Sequence, residues 1–118
     1  MESAIKIKIE PIKNHETAQL IYFSGDLDAT NVDEVLQYVM DLYGKGVAHL
    51  VINCAELRYV NSTGLGILLH LSKGARELGG CFKLATVNEN VYEIIEIIGA
   101  TTLLEIYDTV NEAVASLK

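Results

Sequence analysis

The sequence has no tryptophan, one proline, two cysteines, and nine basic residues against sixteen acidic ones. Each scarcity excludes something. A nucleic-acid surface needs clustered Lys and Arg to neutralise phosphates, and at a formal net charge of −7 no segment supplies them. Lys6, Lys8 and Lys13 come nearest, and their spacing suits one wet face of a strand. The same acidic balance disfavours anionic lipid and favours a basic partner patch. Cys54 and Cys81 stand far apart, without CxxC spacing or a paired His, which is neither a metal site nor a redox motif. Each lies in or beside an apolar run, so both are expected as buried free thiols. No apolar run approaches the ~20 residues that span a bilayer. The N-terminal MESAIKIKIE alternates charge with isoleucine and offers no apolar signal core, so the expected compartment is the cytoplasm. No Pro-, Gly- or Ser-rich linker and no internal repeat divides the chain. Its 118 residues, half of them hydrophobic, suit one domain over residues 1–118 with a core that needs no metal or disulfide.

What is present alternates strand and helix patterns. Ile5, Ile7 and Ile9 interleave with Lys6, Lys8 and Glu10, the period-two pattern of a half-wet strand. Pro11 and Asn14 mark a turn, and Ala18 to Ser24 is a second strand, close enough for an antiparallel hairpin. Gly25-Asp26-Leu27-Asp28 reads as a polar turn into a helix capped by Thr30 or Asn31, with Val32, Val35, Leu36, Val39, Met40 and Tyr43 on one stripe. His49 to Asn53 is a third, central strand. Ser62 to Leu78 is a second helix, stopped by Gly79-Gly80, and Cys81 to Val87 is a fourth strand. Asn88 caps a third helix with Val91, Ile94, Ile95 and Ile98 inward and Gly99 at its end. Leu103 to Tyr107 is a fifth strand, and Asp108 caps a last helix with Val110, Ala113, Val114 and Leu117 inward. The order ββαβαβαβα predicts an α/β fold: a mixed, mostly parallel five-stranded sheet packed with four helices through right-handed crossovers.

The chemistry concentrates in Tyr59-Val60-Asn61-Ser62-Thr63-Gly64-Leu65-Gly66-Ile67, between the third strand and the second helix. Ser62 falls about where an N-cap belongs, its hydroxyl able to accept from the amide of Gly64 or Leu65. The free amides of the first turn and the positive end of the helix dipole favour an added anion there. Gly64 and Gly66 each cost about 1 kcal/mol of helix propensity relative to Ala, so two in one turn indicate a packing or contact demand. An ordinary Ser cap, with glycines that seat the helix tightly on the sheet, accounts for the same residues. A phosphate-cradling loop of the GxxxxGK[ST] type is absent, because no Lys follows Gly66. A serine hydrolase finds no support either: residues 60 to 64 read VNSTG, not GxSxG, and neither His49 nor His70 has a carboxylate at telling spacing. An enzyme is therefore a third reading, which turnover lost in Ser62→Ala would revive. His70 lies two turns on, roughly 12 Å along the axis and out of reach as a base for Ser62. No enzyme activity and no cofactor are expected.

These motifs resemble the STAS family, specifically the bacterial anti-sigma factor antagonists, over roughly Ile5 to Leu117. Three segments carry the resemblance: Gly25-Asp26-Leu27-Asp28, Val51-Ile52-Asn53, and Asn61-Ser62-Thr63-Gly64-Leu65-Gly66, which resembles the family's D-S-[ST]-G-L-G signature. The resemblance implies that Ser62 is phosphorylated by an anti-sigma factor that is itself a serine kinase. The unphosphorylated form binds that kinase and releases a sigma factor, and a phosphatase resets the cycle. By the resemblance Asp28, Ser62 and Thr63 match family positions, and the expected docking surface adds Asn61, Gly64, Gly66 and Ile67. His70 and Lys73 lie further along the same helix, where an ordinary solvated face accounts for them better. The protein is then a monomer or weak dimer. The signature's leading aspartate is Asn61 here, which keeps shape and local hydrogen bonding but removes a charge beside the acceptor. Two other readings use the same face: a STAS subunit of a phospholipid ABC transporter bound to its ATPase, and a small-ligand or nucleotide sensor.

Overall fold

A computed structural model describes residues 4–117; residues 1–3 and 118, the ends of the expected domain, lie outside the described residues. The elements run β1 (Ile5–Ile12), β2 (His15–Leu27), α1 (Val32–Gly44), β3 (His49–Val60), α2 (Ser62–Glu77), β4 (Cys81–Ala85), α3 (Glu89–Ile98), β5 (Glu105–Tyr107) and α4 (Val110–Ala115). They build one five-stranded sheet in the order β1-β2-β3-β4-β5. Only β1, joined to β2 by a tight hairpin, is antiparallel to its neighbour; the other pairs are parallel. This is the expected α/β architecture.

Successive residues of a strand face opposite sides of the sheet, and the two sides are unequal here. Ile21, Phe23, Leu50, Ile52 and Leu84 face the larger core and meet α1, α2 and α3 through Val35, Val39, Leu68, Leu71, Val91 and Ile95. The Tyr43 hydroxyl of α1 donates to the Leu71 carbonyl of α2 at 2.7 Å, joining the two helices inside that core. Val51 and Ala85 face the other side, where α4 lays Ala113 on them. No buried side-chain nitrogen or oxygen among the described residues lacks a hydrogen-bond partner.

Several sequence expectations change. β2 continues through Gly25-Asp26-Leu27, so the turn into α1 begins at Asp28. β3 continues seven residues beyond Asn53, to Val60, because β2 keeps pairing with it across two register shifts, between Tyr22/Ser24 and Gly25/Asp26. β4 and β5 are shorter than expected, ending at Ala85 and starting at Glu105. Met40 and Ile98 are exposed instead of inward, because each helix meets the sheet along a narrower stripe than its apolar residues span. The last helix is capped by the Thr109 hydroxyl, which accepts from Glu112 N at 3.1 Å, and not by Asp108. Cys54 is buried as expected, but Cys81, at the start of β4, is only half-buried.

Lys83 is an unexpected buried cation, 7% exposed on the α4 side of β4. Its Nζ donates to Glu105 Oε2 at 2.6 Å and to Tyr107 Oη at 3.2 Å, and Tyr107 Oη donates to the same carboxylate at 3.0 Å. Burial disfavours the ammonium, but hydrogen bonds and charge from Glu105 and Tyr107 outweigh it and hold Lys83 above its ordinary value. Burial likewise works against the Glu105 carboxylate, and Lys83 and Tyr107 overcome it, so Glu105 lies below its ordinary value. The pair's contribution is complete above 4.5, the ordinary Glu105 value, and is lost as pH falls through the lowered one. It is also complete below 10.5, the ordinary Lys83 value, and is lost as pH rises through the raised one. Glu105 is half-exposed, so the stabilisation is of order 1 kcal/mol. Urea denaturation across pH is expected to show Glu105→Gln destabilised by a constant amount near neutrality, with the gap to the parent closing in acid. A gap that does not change with pH contradicts the assignment.

Candidate functional site

The signature segment sits where β2 and β3 leave the sheet. Leu27 and Val60 are register partners at the ends of these parallel strands, so the next residues, Asp28 and Asn61, emerge side by side. The carboxyl ends of parallel strands are where open α/β sheets place their sites. The Asn61 amide donates to the Leu27 carbonyl at 3.2 Å, so the pairing of the strands carries one residue further.

Asn61 then starts α2. Its backbone is extended, its Oδ1 accepts from Gly64 N at 2.9 Å, and its carbonyl accepts from Leu65 N at 2.9 Å. The cap is therefore Asn61 and not Ser62 as expected; Ser62 is the first helical residue. The reason lies in Gly64. A β-carbon there would stand 2.5 Å from the Leu27 carbonyl oxygen, so only glycine lets the first turn rest on the end of β2. With Gly64 seated against Leu27, the residue three before it becomes the cap, and Asn caps as well as Ser.

Gly64 is therefore buried against the end of β2, which leaves little of it for the partner contact expected there. Ile67 is half-buried and packs on the core, so it too offers only part of its side chain outward. Ser62, Thr63, Gly66, His70 and Lys73 are exposed. Ser62, Gly66, His70 and Lys73 follow each other at helical spacings of four, four and three, and so form one exposed face. A β-carbon at Gly66 would meet nothing within 4 Å, so the fold does not demand that glycine. The Ser62 hydroxyl has no hydrogen-bond partner among the described residues.

Asp28 is fixed by its own turn. Its Oδ1 accepts from the Thr30 amide at 2.9 Å and the Thr30 hydroxyl at 2.5 Å, and these bonds hold the carboxyl below its ordinary value. Asn31 occupies the cap position of α1, but its side chain does not cap the helix. Its Oδ1 accepts from Asp28 N at 3.0 Å and its Nδ2 donates to the Asp26 carbonyl at 2.8 Å, which fixes the turn that presents Asp28. Asn88, expected only as a cap, has a second role. It accepts from Val91 N at 2.8 Å and reaches back with Nδ2 to the Leu57 carbonyl at 3.0 Å, tying α3 to the end of β3. Leu27, whose carbonyl organises the whole junction, had no signal in its side-chain type.

This arrangement is a presented hydroxyl at a helix start, with a carboxylate on the adjacent strand end. The amides of Ser62 and Thr63 precede the first intrahelical bond, and the helix dipole is positive there, so an anion on Ser62 is electrostatically favoured. No group of three or more His, Cys, Asp or Glu among the described residues could hold a metal ion. No helix of the described residues is long and apolar enough to cross a membrane.

The STAS domain family profile matches residues 10–113. The anti-sigma F factor antagonist of Paenibacillus polymyxa is 26% identical over 115 residues, covering 97% of each chain. A crystal structure of an anti-sigma factor antagonist from Mycobacterium paratuberculosis superposes with a TM-score of 0.81 at 20% identity, over 95% of this chain and 92% of that one. The Bacillus cell fate determinant SpoIIAA in its phosphorylated form superposes with a TM-score of 0.72 at 17% identity, over 96% of this chain and all (100%) of that one.

The two glycines of the first turn are expected to respond oppositely to alanine. Gly64→Ala drives a β-carbon into backbone and is expected to cost about 1–3 kcal/mol or more of stability. Gly66→Ala gains about 1 kcal/mol of helix propensity. Asn61→Ala loses the cap, about 1 kcal/mol, whereas Asn61→Asp retains it and adds a favourable charge at the dipole. Thermal or urea unfolding of the four variants checks this, and equal effects of the two glycine changes contradict the seating of α2 on Leu27.

Proposed function

The chain belongs to the STAS domain family, and from that membership we propose that it is an anti-sigma factor antagonist switched by phosphorylation of Ser62. The observation that carries this reading is the division between Asn61, which caps α2, and Ser62, whose exposed hydroxyl is free of structural duty. The named relatives support the class, being anti-sigma factor antagonists themselves, and SpoIIAA has a phosphorylated form.

In the proposed cycle the unmodified protein docks an anti-sigma factor in the cytoplasm through Asp28, Thr63 and the α2 face of Ser62, Gly66 and His70. The sigma factor is thereby released. Gly66, which the fold leaves free to carry a side chain, lets the partner approach the backbone closely. The partner kinase transfers the γ-phosphoryl of ATP: a bond forms between Ser62 Oγ and phosphorus, the bond to the ADP oxygen breaks, and the hydroxyl proton leaves. The product carries ~ −1.5 to −2 charges at the start of α2, where the free protein tolerates it through amides and dipole. In a desolvated interface the same dianion, beside the ionised Asp28, costs several kcal/mol. A phosphatase restores the hydroxyl.

Incubation with an anti-sigma kinase and ATP is expected to place a single phosphate on Ser62 by mass spectrometry. Ser62→Ala is expected to keep kinase binding, and Ser62→Asp to weaken it by at least about tenfold, 1.4 kcal/mol. Phosphate on Thr63 instead, or equal binding by both variants, defeats the mechanism.

A further inference from the structure

α3 carries more apolar surface than the fold buries. Val91 and Ile95 are buried against the sheet, yet Ile97 is 74% exposed and Ile98 45%. Asn90, Glu93, Ile94, Ile97 and Ile98 stand at intervals of three, one, three and one, a second stripe on the helix beside the buried one. Opposite that stripe lies the end of β3, where Tyr59 is 51% exposed. Between them runs a groove of about 420 Å³ lined by Tyr59, Val60, Asn90, Glu93, Ile94, Ile97 and Ile98. Asn88 ties the two elements that form its walls, capping α3 while donating to the Leu57 carbonyl of β3. The groove is thus bounded by two fixed elements.

Electrostatics select the occupant. α3 bears Glu89, Glu93 and Glu96 and no basic residue. Its C-terminal end, negative by the helix dipole, lies beside Ile97 and Ile98 and has no basic residue in the last turn. Arg58, adjacent in sequence to Tyr59, is turned to Asp26 at 3.5 Å and leaves the groove uncompensated. Glu93 also lines a neighbouring cleft, together with Glu89, Glu96 and Asp108. Two copies meeting through this face would oppose like charges, and an anionic lipid surface would be repelled in the same way.

We propose that the groove between Tyr59–Val60 and the outer stripe of α3 docks an amphipathic helix of a partner protein, its apolar residues flanked by Lys or Arg. Apolar anchors enter between Tyr59 and Ile97, and the cations meet Glu93 and the carbonyl end of α3. A helix laid in an apolar groove is read by anchors at spacings of three and four residues, the spacing that the α3 stripe itself presents. Ser62 is not among the residues that line the groove, and the proposal does not rest on its modification.

The test uses two synthetic amphipathic helical peptides with the same leucine face, one flanked by Lys and Arg and the other by Glu. Fluorescence anisotropy with the full chain is expected to show the basic peptide binding at least about tenfold more tightly, with weaker binding as salt rises. Amide shifts on titration are expected at Tyr59, Ile94 and Ile97. Ile97→Lys, at an exposed position, is expected to abolish binding without changing the melting temperature, and Ser62→Asp to leave it intact. Equal binding of the two peptides, no binding of either, or shifts elsewhere overturns the proposal. So does self-association or anionic-vesicle binding that Ile97→Lys removes. Loss of peptide binding in Ser62→Asp would tie the groove to the phosphorylation surface and overturn its independence, whereas a failed Ser62 phosphorylation assay leaves the peptide result standing.

Discussion

The first turn of α2 touches the end of β2 through bare backbone, Gly64 against the Leu27 carbonyl, and the geometry of the site follows from that contact. A larger residue at position 64 would lift the helix from the sheet, break the alignment of Asn61 with the Leu27 carbonyl, and move every residue of the exposed α2 face. Because the contact is made by main chain, it is stiff. The two strand ends are paired with each other, Leu27 with Val60, and the Asn61 cap adds a bond to Gly64. The site residues therefore stand on a rigid corner, and a partner can recognise the corner without remodelling it.

Much of this was readable from residue patterns, and the places where reading failed share a cause. Alternating burial exposes the first strand directly, and Gly79-Gly80 and Gly99 end their helices because a chain reversal needs them; Gly99 has φ 81° and caps α3 in the left-handed region. The extension of β3 was hidden. Its buried residues beyond Asn53 are Cys54, Leu57 and Val60, one in three, because the register shifts against β2 insert extra residues. A period-two reading cannot see a bulged strand. The Asn61-Ser62 pair was misassigned for a different reason: both side chains cap helices well, and which one does so is decided by where Gly64 meets Leu27, a contact between residues far apart in sequence. The Lys83, Glu105 and Tyr107 cluster was equally invisible, since it needs the parallel pairing of β4 with β5 to bring the three together.

The apolar content of the helices also explains where sequence overstates burial. A helix on a sheet contacts it along a narrow stripe, so residues at the stripe's margin depend on what flanks the helix. In α1 the margin residue Met40 is exposed singly, which is ordinary for a protein surface. In α3 the margin is a run, Ile97 and Ile98 facing Tyr59 across a groove, which solvent does not favour. The difference between one exposed side chain and a continuous stripe separates incidental exposure from surface that burial against another molecule would stabilise.

Division of labour at the start of α2 bears most directly on switching. Had Ser62 been the cap, as the pattern suggested, its hydroxyl would be engaged with a backbone amide, and adding a phosphoryl group would compete with the bond that starts the helix. Instead Asn61 makes that bond at 2.9 Å, and Ser62 follows it with no partner of its own among the described residues. A charge added at Ser62 then leaves the cap in place and lies where the dipole is positive, so the fold gains or loses little. In the proposed complex the partner would meet the full change, because the same charge falls on an exposed face that docking would strip of water. A switch of this kind needs no second conformation: it needs a structural residue and a modifiable residue side by side, each excused from the other's task.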